Sequence, residues 1–117
     1  MSMKATVRQV DSVTVVDVSG RITLGEACKE LRELIRGELG KGHKNLLLNL
    51  ADVTYIDSSG IGELVSAFTA VSSQGGKLKL LNLTKKVHDL LQITKLYTVF
   101  DIHNDEAAAI SSFAAAS

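Results

Sequence analysis

The sequence predicts an α/β fold: a mixed β-sheet, opened by an N-terminal hairpin and continued by mostly parallel strands, covered by about four helices. Three observations carry this. Two short segments of period two stand at the start, separated by a turn signal. Segments of helical period then alternate with short apolar runs. No proline, low-complexity linker or internal repeat interrupts the alternation, so residues 1–117 are expected to form one domain.

The elements follow in order. Lys4 to Gln9 alternates Ala5 and Val7 with polar residues, the mark of a half-buried strand. Asp11-Ser12 is a turn, and Val13, Val15, Val16 and Val18 form a β-branched second strand that pairs back as a hairpin, closed by Gly20. The period then changes. Leu24, Cys28, Leu31, Ile35 and Leu39 fall three or four apart on one face of an amphipathic helix, which Gly40 and Gly42 stop. Leu46-Leu47-Leu48 with Leu50 is a continuous apolar run, as in a strand buried on both faces, and Ala51 to Ile56 leads out of it.

Ile61, Leu64, Val65, Phe68 and Val71 mark a second helix, ended by Gly75-Gly76, with Leu64 and Phe68 facing the sheet. Lys77 to Leu83 alternates again as a strand. Thr84 caps a third helix carrying Val87, Leu90 and Leu91. Val99, Phe100 and Ile102 predict a last short strand. Asn104 or Asp105 opens a C-terminal helix with Ala107, Ile110, Phe113 and Ala114.

Composition excludes several classes of function. Apolar residues make up 45% of the 117, enough for a substantial core. The 13 Lys and Arg balance 13 Asp and Glu, and no basic cluster forms, which argues against nucleic acid as a partner. Met1 to Arg8 lacks the apolar run of a secretory leader, and no stretch nears the ~20 apolar residues that span a bilayer. A cytoplasmic protein without membrane contact is expected. Cys28 is the only cysteine, so neither an intramolecular disulfide nor a cysteine-based zinc site can form, and its helical spacing reads as core. His43, His88 and His103 are scattered without metal-ligand spacing. No phosphate-cradling loop ending in Gly-Lys-Ser/Thr and no G-x-S-x-G turn occurs. No metal, cofactor or enzymatic acid/base set is expected.

The informative segment is Asp57-Ser58-Ser59-Gly60-Ile61-Gly62, which joins the buried strand to the second helix. In open α/β folds, partner and ligand sites gather at the carboxyl ends of strands. Free N–H groups and the positive end of the helix dipole suit an oxyanion there. Gly60 and Gly62 leave the neighbouring hydroxyls open to a close approach. Asp or Ser before an apolar helix is, on residue type alone, most often only an N-cap. Ile61, by spacing alone, reads as core.

The chain resembles the STAS family, the domain shared by sulfate-transporter tails and anti-sigma factor antagonists. The resemblance covers nearly the whole chain. It includes Val15-Val16-Asp17-Val18-Ser19-Gly20, Leu46-Leu47-Leu48-Asn49-Leu50-Ala51-Asp52-Val53, the Asp57–Gly62 signature, Gly75-Gly76 before Leu78-Lys79-Leu80, and Leu96, Phe100 and Ile102. It implies an anti-sigma factor antagonist. In that branch the first serine after the aspartate, here Ser58, is phosphorylated by an anti-sigma factor that is also a serine kinase. The unphosphorylated form binds the anti-sigma factor and frees the sigma factor; phosphorylation breaks the binding and a phosphatase restores it. Asp57, Ser58, Ser59, Gly60, Ile61 and Gly62, with Arg21 and Thr23 of a loop expected nearby, are the implied partner-binding residues. The expected state is a monomer or weak dimer. The alternative is a STAS scaffold, stressosome-like, or an accessory subunit of a lipid transporter, without a sigma factor partner. Two departures stand out. Thr23 replaces an acidic residue that many antagonists carry after Gly20, and Lys95 replaces a frequent Gly, which predicts a different helix end.

Overall fold

The computed structural model describes residues 3–115. The strands are β1 (Lys4–Val10), β2 (Val13–Ile22), β3 (Asn45–Ile56), β4 (Lys77–Leu81) and β5 (Asp101–His103); the helices are α1 (Glu26–Gly40), α2 (Ser58–Ser73), α3 (Lys85–Ile93) and α4 (Glu106–Ala115). The strands lie side by side in sequence order, β1-β2-β3-β4-β5. β1 and β2 pair antiparallel, from Val10 opposite Val13 to Lys4 opposite Ser19. All other pairs are parallel. The mixed α/β sheet with its opening hairpin and four helices is thus the fold that the sequence predicts. Its Cα radius of gyration is 12.9 Å, close to the ~13 Å of a compact chain of this length.

The sheet carries apolar side chains on both faces. Val16, Val18 and Ile22 of β2, Leu46, Leu48 and Leu50 of β3, and Leu78 and Leu80 of β4 pack under α1, α2 and α3 in the larger core. Val13, Val15, Leu47 and Leu81 point the other way and meet Ala109 and Phe113 of α4 in a smaller one. The uninterrupted Leu46-Leu47-Leu48 run follows from this, because a strand covered on both sides has no polar face to alternate.

Several boundaries move. β3 continues to Ile56 instead of ending near Leu50. Its pairing with β2 shifts register twice, between Asp17 and Ser19 and between Gly20 and Arg21, and each shift admits one extra β3 residue. The core-facing residues therefore fall three apart, at Leu50, Val53 and Ile56, where strict alternation would space them by two. β2 runs through Gly20 to Ile22. β4 stops at Leu81. Val99 lies in a one-turn 3-10 helix, Tyr97–Val99, and only Asp101–His103 forms the last strand. Leu24 precedes α1 and is 78% exposed, so it belongs to the loop and not to the helix face. Leu64 is fully buried as expected, but Phe68 is only half-buried, packed edge-to-face on Phe100 with ring centroids 5.6 Å apart. In α4 the buried residues are Ala109 and Phe113, while Ala107 and Ala114 are exposed.

The caps are local and legible. Thr84 Oγ1 accepts from Val87 N–H at 3.4 Å, and Asp105 Oδ2 accepts from Ala108 N–H at 2.9 Å. At the end of α3, Lys95 adopts φ 62°. Leu96 N–H donates to Leu91 C=O at 2.9 Å and Lys95 N–H to Gln92 C=O at 3.1 Å, the paired bonds of a left-handed helix stop. Replacing glycine by lysine thus leaves this ending intact, contrary to the expectation of a different one.

Candidate functional site

The site is assembled where β2 and β3 end and α2 begins. Asp57, extended at φ −105° and ψ −177°, is the N-cap of α2. Its Oδ1 accepts from Gly60 N–H at 2.8 Å, and its Oδ2 accepts from Leu24 N–H at 3.1 Å. Its own N–H donates to Ile22 C=O at 3.3 Å. Thr54 Oγ1 adds a bond to Gly20 C=O at 3.2 Å. The loop after β2 and the first turn of α2 are therefore tied into one unit by a single carboxylate and its flanking backbone.

Gly60 is buried at the closest point of this junction. A Cβ placed there would collide with Ile22 C=O and come within 2.6 Å of Ile56 Cγ1. Gly62 is different: nothing lies within 4 Å of a Cβ built on it, and it is exposed. Only the first glycine of the signature is demanded by packing. Ile61 is 2% exposed and belongs to the larger core. Gly60 and Ile61, both in the set inferred from resemblance, are buried and hold the motif in place.

What remains at the surface is Ser58, exposed, with Ser59 and Asp57 half-buried beside it. Among the described residues the N–H groups of Ser58 and Ser59 donate to no partner elsewhere in the chain, as expected for the first turn of a helix. Arg21 is exposed and Thr23 half-buried on the adjoining segment. The sequence reading missed Leu24 here, because its spacing to Cys28 imitates a helix face. Cys28 is 6% exposed beneath the loop, and burial, helped by the nearby Glu63 and Asp57 charges, pushes its thiol up. An inert core cysteine results.

Other polar groups brace the frame. Glu63 of α2 is buried and paired with Arg32 of α1 at 2.8 Å. On the opposite face, Arg8 of β1 bridges Asp17 of β2 and Glu106 of α4, each at 2.6 Å. Among the described residues, no group of three or more His, Cys, Asp or Glu side chains is gathered to hold a metal ion. None of the described helices is long and apolar enough to cross a membrane.

The family model for the STAS domain matches residues 4–109. The chain belongs to the STAS domain family. Its anti-sigma factor antagonist branch is marked by the anti-sigma-B factor antagonist of Bacillus subtilis, 34% identical over 102 residues, which cover 87% of this chain and 92% of that one. In structure, TM1081 of Thermotoga maritima superposes with a TM-score of 0.86 at 26% identity, covering 93% of both chains. The unphosphorylated form of SpoIIAA, an anti-sigma factor antagonist, gives a TM-score of 0.79 at 21% identity over 93% of this chain and 95% of that one. A phosphorylated form of SpoIIAA, described as a Bacillus cell fate determinant, gives 0.73 at 20% identity over 93% and 98%. These STAS proteins are regulatory binding proteins, and this chain groups with them and not with enzymes.

Proposed function

We propose that this STAS domain is an anti-sigma factor antagonist controlled by phosphorylation of Ser58. The unphosphorylated form binds an anti-sigma factor with serine kinase activity and so frees the sigma factor. Phosphate on Ser58 ends the binding, and a phosphatase resets the cycle. The observation that carries this reading is the place of Ser58: an exposed hydroxyl at the first position of α2, on a turn that Asp57 and Gly60 hold rigid.

The chemistry fits. A phosphoserine adds a charge of about −1.5 to −2 and three acceptor oxygens. At the start of α2 it meets unpaired N–H groups and the positive helix end, so the fold can accept it. A partner pressed over the same spot would have to desolvate that charge beside Asp57, a far harsher environment. Tenfold in affinity takes only ~1.4 kcal/mol, so a fraction of that cost releases the partner. Leu24, exposed and fastened through its N–H to Asp57, offers an apolar side chain to the same partner.

The test is incubation with the cognate kinase and ATP, with the product mapped by mass spectrometry. A single phosphate on Ser58 is expected. Ser58→Ala should still bind the kinase but no longer be released by ATP, and Ser58→Asp should bind weakly while keeping its fold. Label on Thr84 or Ser112 with Ser58 unmodified would refute the assignment.

A further inference from the structure

Three residues before Ser58, the same rim of the sheet carries a cationic cluster built around Tyr55. Tyr55 of β3 is 36% exposed and stands directly beside Arg21 in the β2–β3 register. The Arg21 guanidinium carbon lies 5.0 Å from the Tyr55 ring centroid, and Lys86 Nζ of α3 lies 5.0 Å from the same centroid. One exposed ring therefore gathers two cations from two different elements.

Neither cation is neutralised. Among the described residues Arg21 and Lys86 make no ion pair and no side-chain hydrogen bond, whereas the adjacent Lys85 is bonded to Asp89 at 2.8 Å. Asp57, the acid next to this rim in sequence, has both oxygens engaged by backbone N–H groups. The segment Arg21-Ile22-Thr23-Leu24-Gly25 contains no acid at all. The ring attracts each cation weakly at an exposed site, but two like charges each 5.0 Å from one centroid repel one another. An anion laid across them relieves that repulsion.

We propose that Arg21, Tyr55 and Lys86 form a docking patch for an acidic segment, one bearing Asp or Glu side chains, of the protein partner that covers Ser58. The proposal rests on the reading of the Ser58 rim as the docking face. Continuity supports it: Arg21 opens the segment that Asp57 fastens to α2, and Tyr55 leads into Asp57 along β3. Tyrosine and arginine are the residue types that anchor interfaces most strongly. The patch also discriminates, since a partner presenting Lys or Arg at this point meets uncompensated like charge.

The experiment is a titration of the ¹⁵N-labelled protein at low ionic strength with a hexaglutamate peptide, beside separate titrations with a neutral hexaserine peptide and inorganic phosphate. Saturable shifts centred on Arg21, Tyr55 and Lys86 are expected with hexaglutamate and not with hexaserine. The double variant Arg21→Gln/Lys86→Gln should bind about tenfold more weakly, and Tyr55→Leu should also weaken it, with the rest of each spectrum unchanged. Shifts spread over all lysines, an unchanged affinity in the double variant, or no saturable shift would overturn the proposal. Phosphate saturating the same signals where hexaglutamate does not would overturn it too, reassigning the patch to a phosphoryl group. Neither kinase nor ATP enters this experiment, so its failure leaves the Ser58 assignment standing, and mass spectrometry tests that assignment separately.

Discussion

Asp57 Oδ2 accepts the backbone N–H of Leu24 at 3.1 Å across 33 positions of sequence, while its Oδ1 caps α2 at Gly60. One carboxylate thus sets both the start of the helix that bears Ser58 and the loop that flanks it. Asp57→Ala should cost about 1–2 kcal/mol in urea unfolding for the lost cap. It should also loosen Leu24, read as faster amide exchange at that residue. Asp57→Asn keeps one acceptor oxygen, so the two bonds compete for it; an intermediate loss of stability is expected. Unchanged exchange at Leu24 in Asp57→Ala would show that the loop is held by other means.

Two glycines of the same motif, Gly60 and Gly62, should answer oppositely to the same change. Gly60→Ala drives a methyl against Ile22 C=O and Ile56, and overpacking of this kind costs roughly 1–3 kcal/mol. Gly62→Ala meets open space in the first turns of α2 and should stabilise by up to about 1 kcal/mol through helix propensity. Chemical denaturation of both variants decides this, and equal effects would contradict the packing described.

Lys95 holds φ 62° at the end of α3, a region that costs a side chain with a Cβ roughly 1 kcal/mol. Lys95→Gly should therefore raise stability by about 0.5–1 kcal/mol. Lys95→Ala keeps the strain and should leave stability nearly unchanged. A denaturation midpoint that falls in the glycine variant would mean that the lysine side chain contributes more than the strain removes.

The Arg8 bridge makes the seating of α4 sensitive to acid. Hydrogen bonding to Arg8 is the largest influence holding both Asp17 and Glu106 below their ordinary values of 3.8 and 4.5. Carboxyls depressed in the folded state contribute stability that is complete above their unfolded values and is lost as pH falls through the folded ones. Stability should accordingly decline below about pH 5, as these carboxylates take up protons. The pairs are part-exposed, so the share owed to this bridge is about 1 kcal/mol. Arg8→Leu should remove that share and flatten the acid limb measured by urea titration at several pH values.

The sequence by itself determined the element types and their order, because each is written in a local period. Alternation at Lys4–Gln9, helical spacing from Cys28 to Leu39 and the double-sided apolar run at Leu46–Leu50 depend only on neighbours in the chain. The placing of Ser58 at the start of a helix was legible for the same reason, since caps and helix ends are local. Tertiary structure decided what depends on distant contacts. It bent β3 through two register shifts that space Leu50, Val53 and Ile56 by three, and it set α4 alone on the far face. It buried Ile61 and exposed Leu24, although both sit at helical spacing, because helix α1 begins only at Glu26 and helix α2 already at Ser58. It gave the second oxygen of Asp57 a partner 33 residues away and brought Arg21 and Lys86 to one ring. A side chain's period tells which way it points from its own element; what stands opposite is settled only when the elements pack.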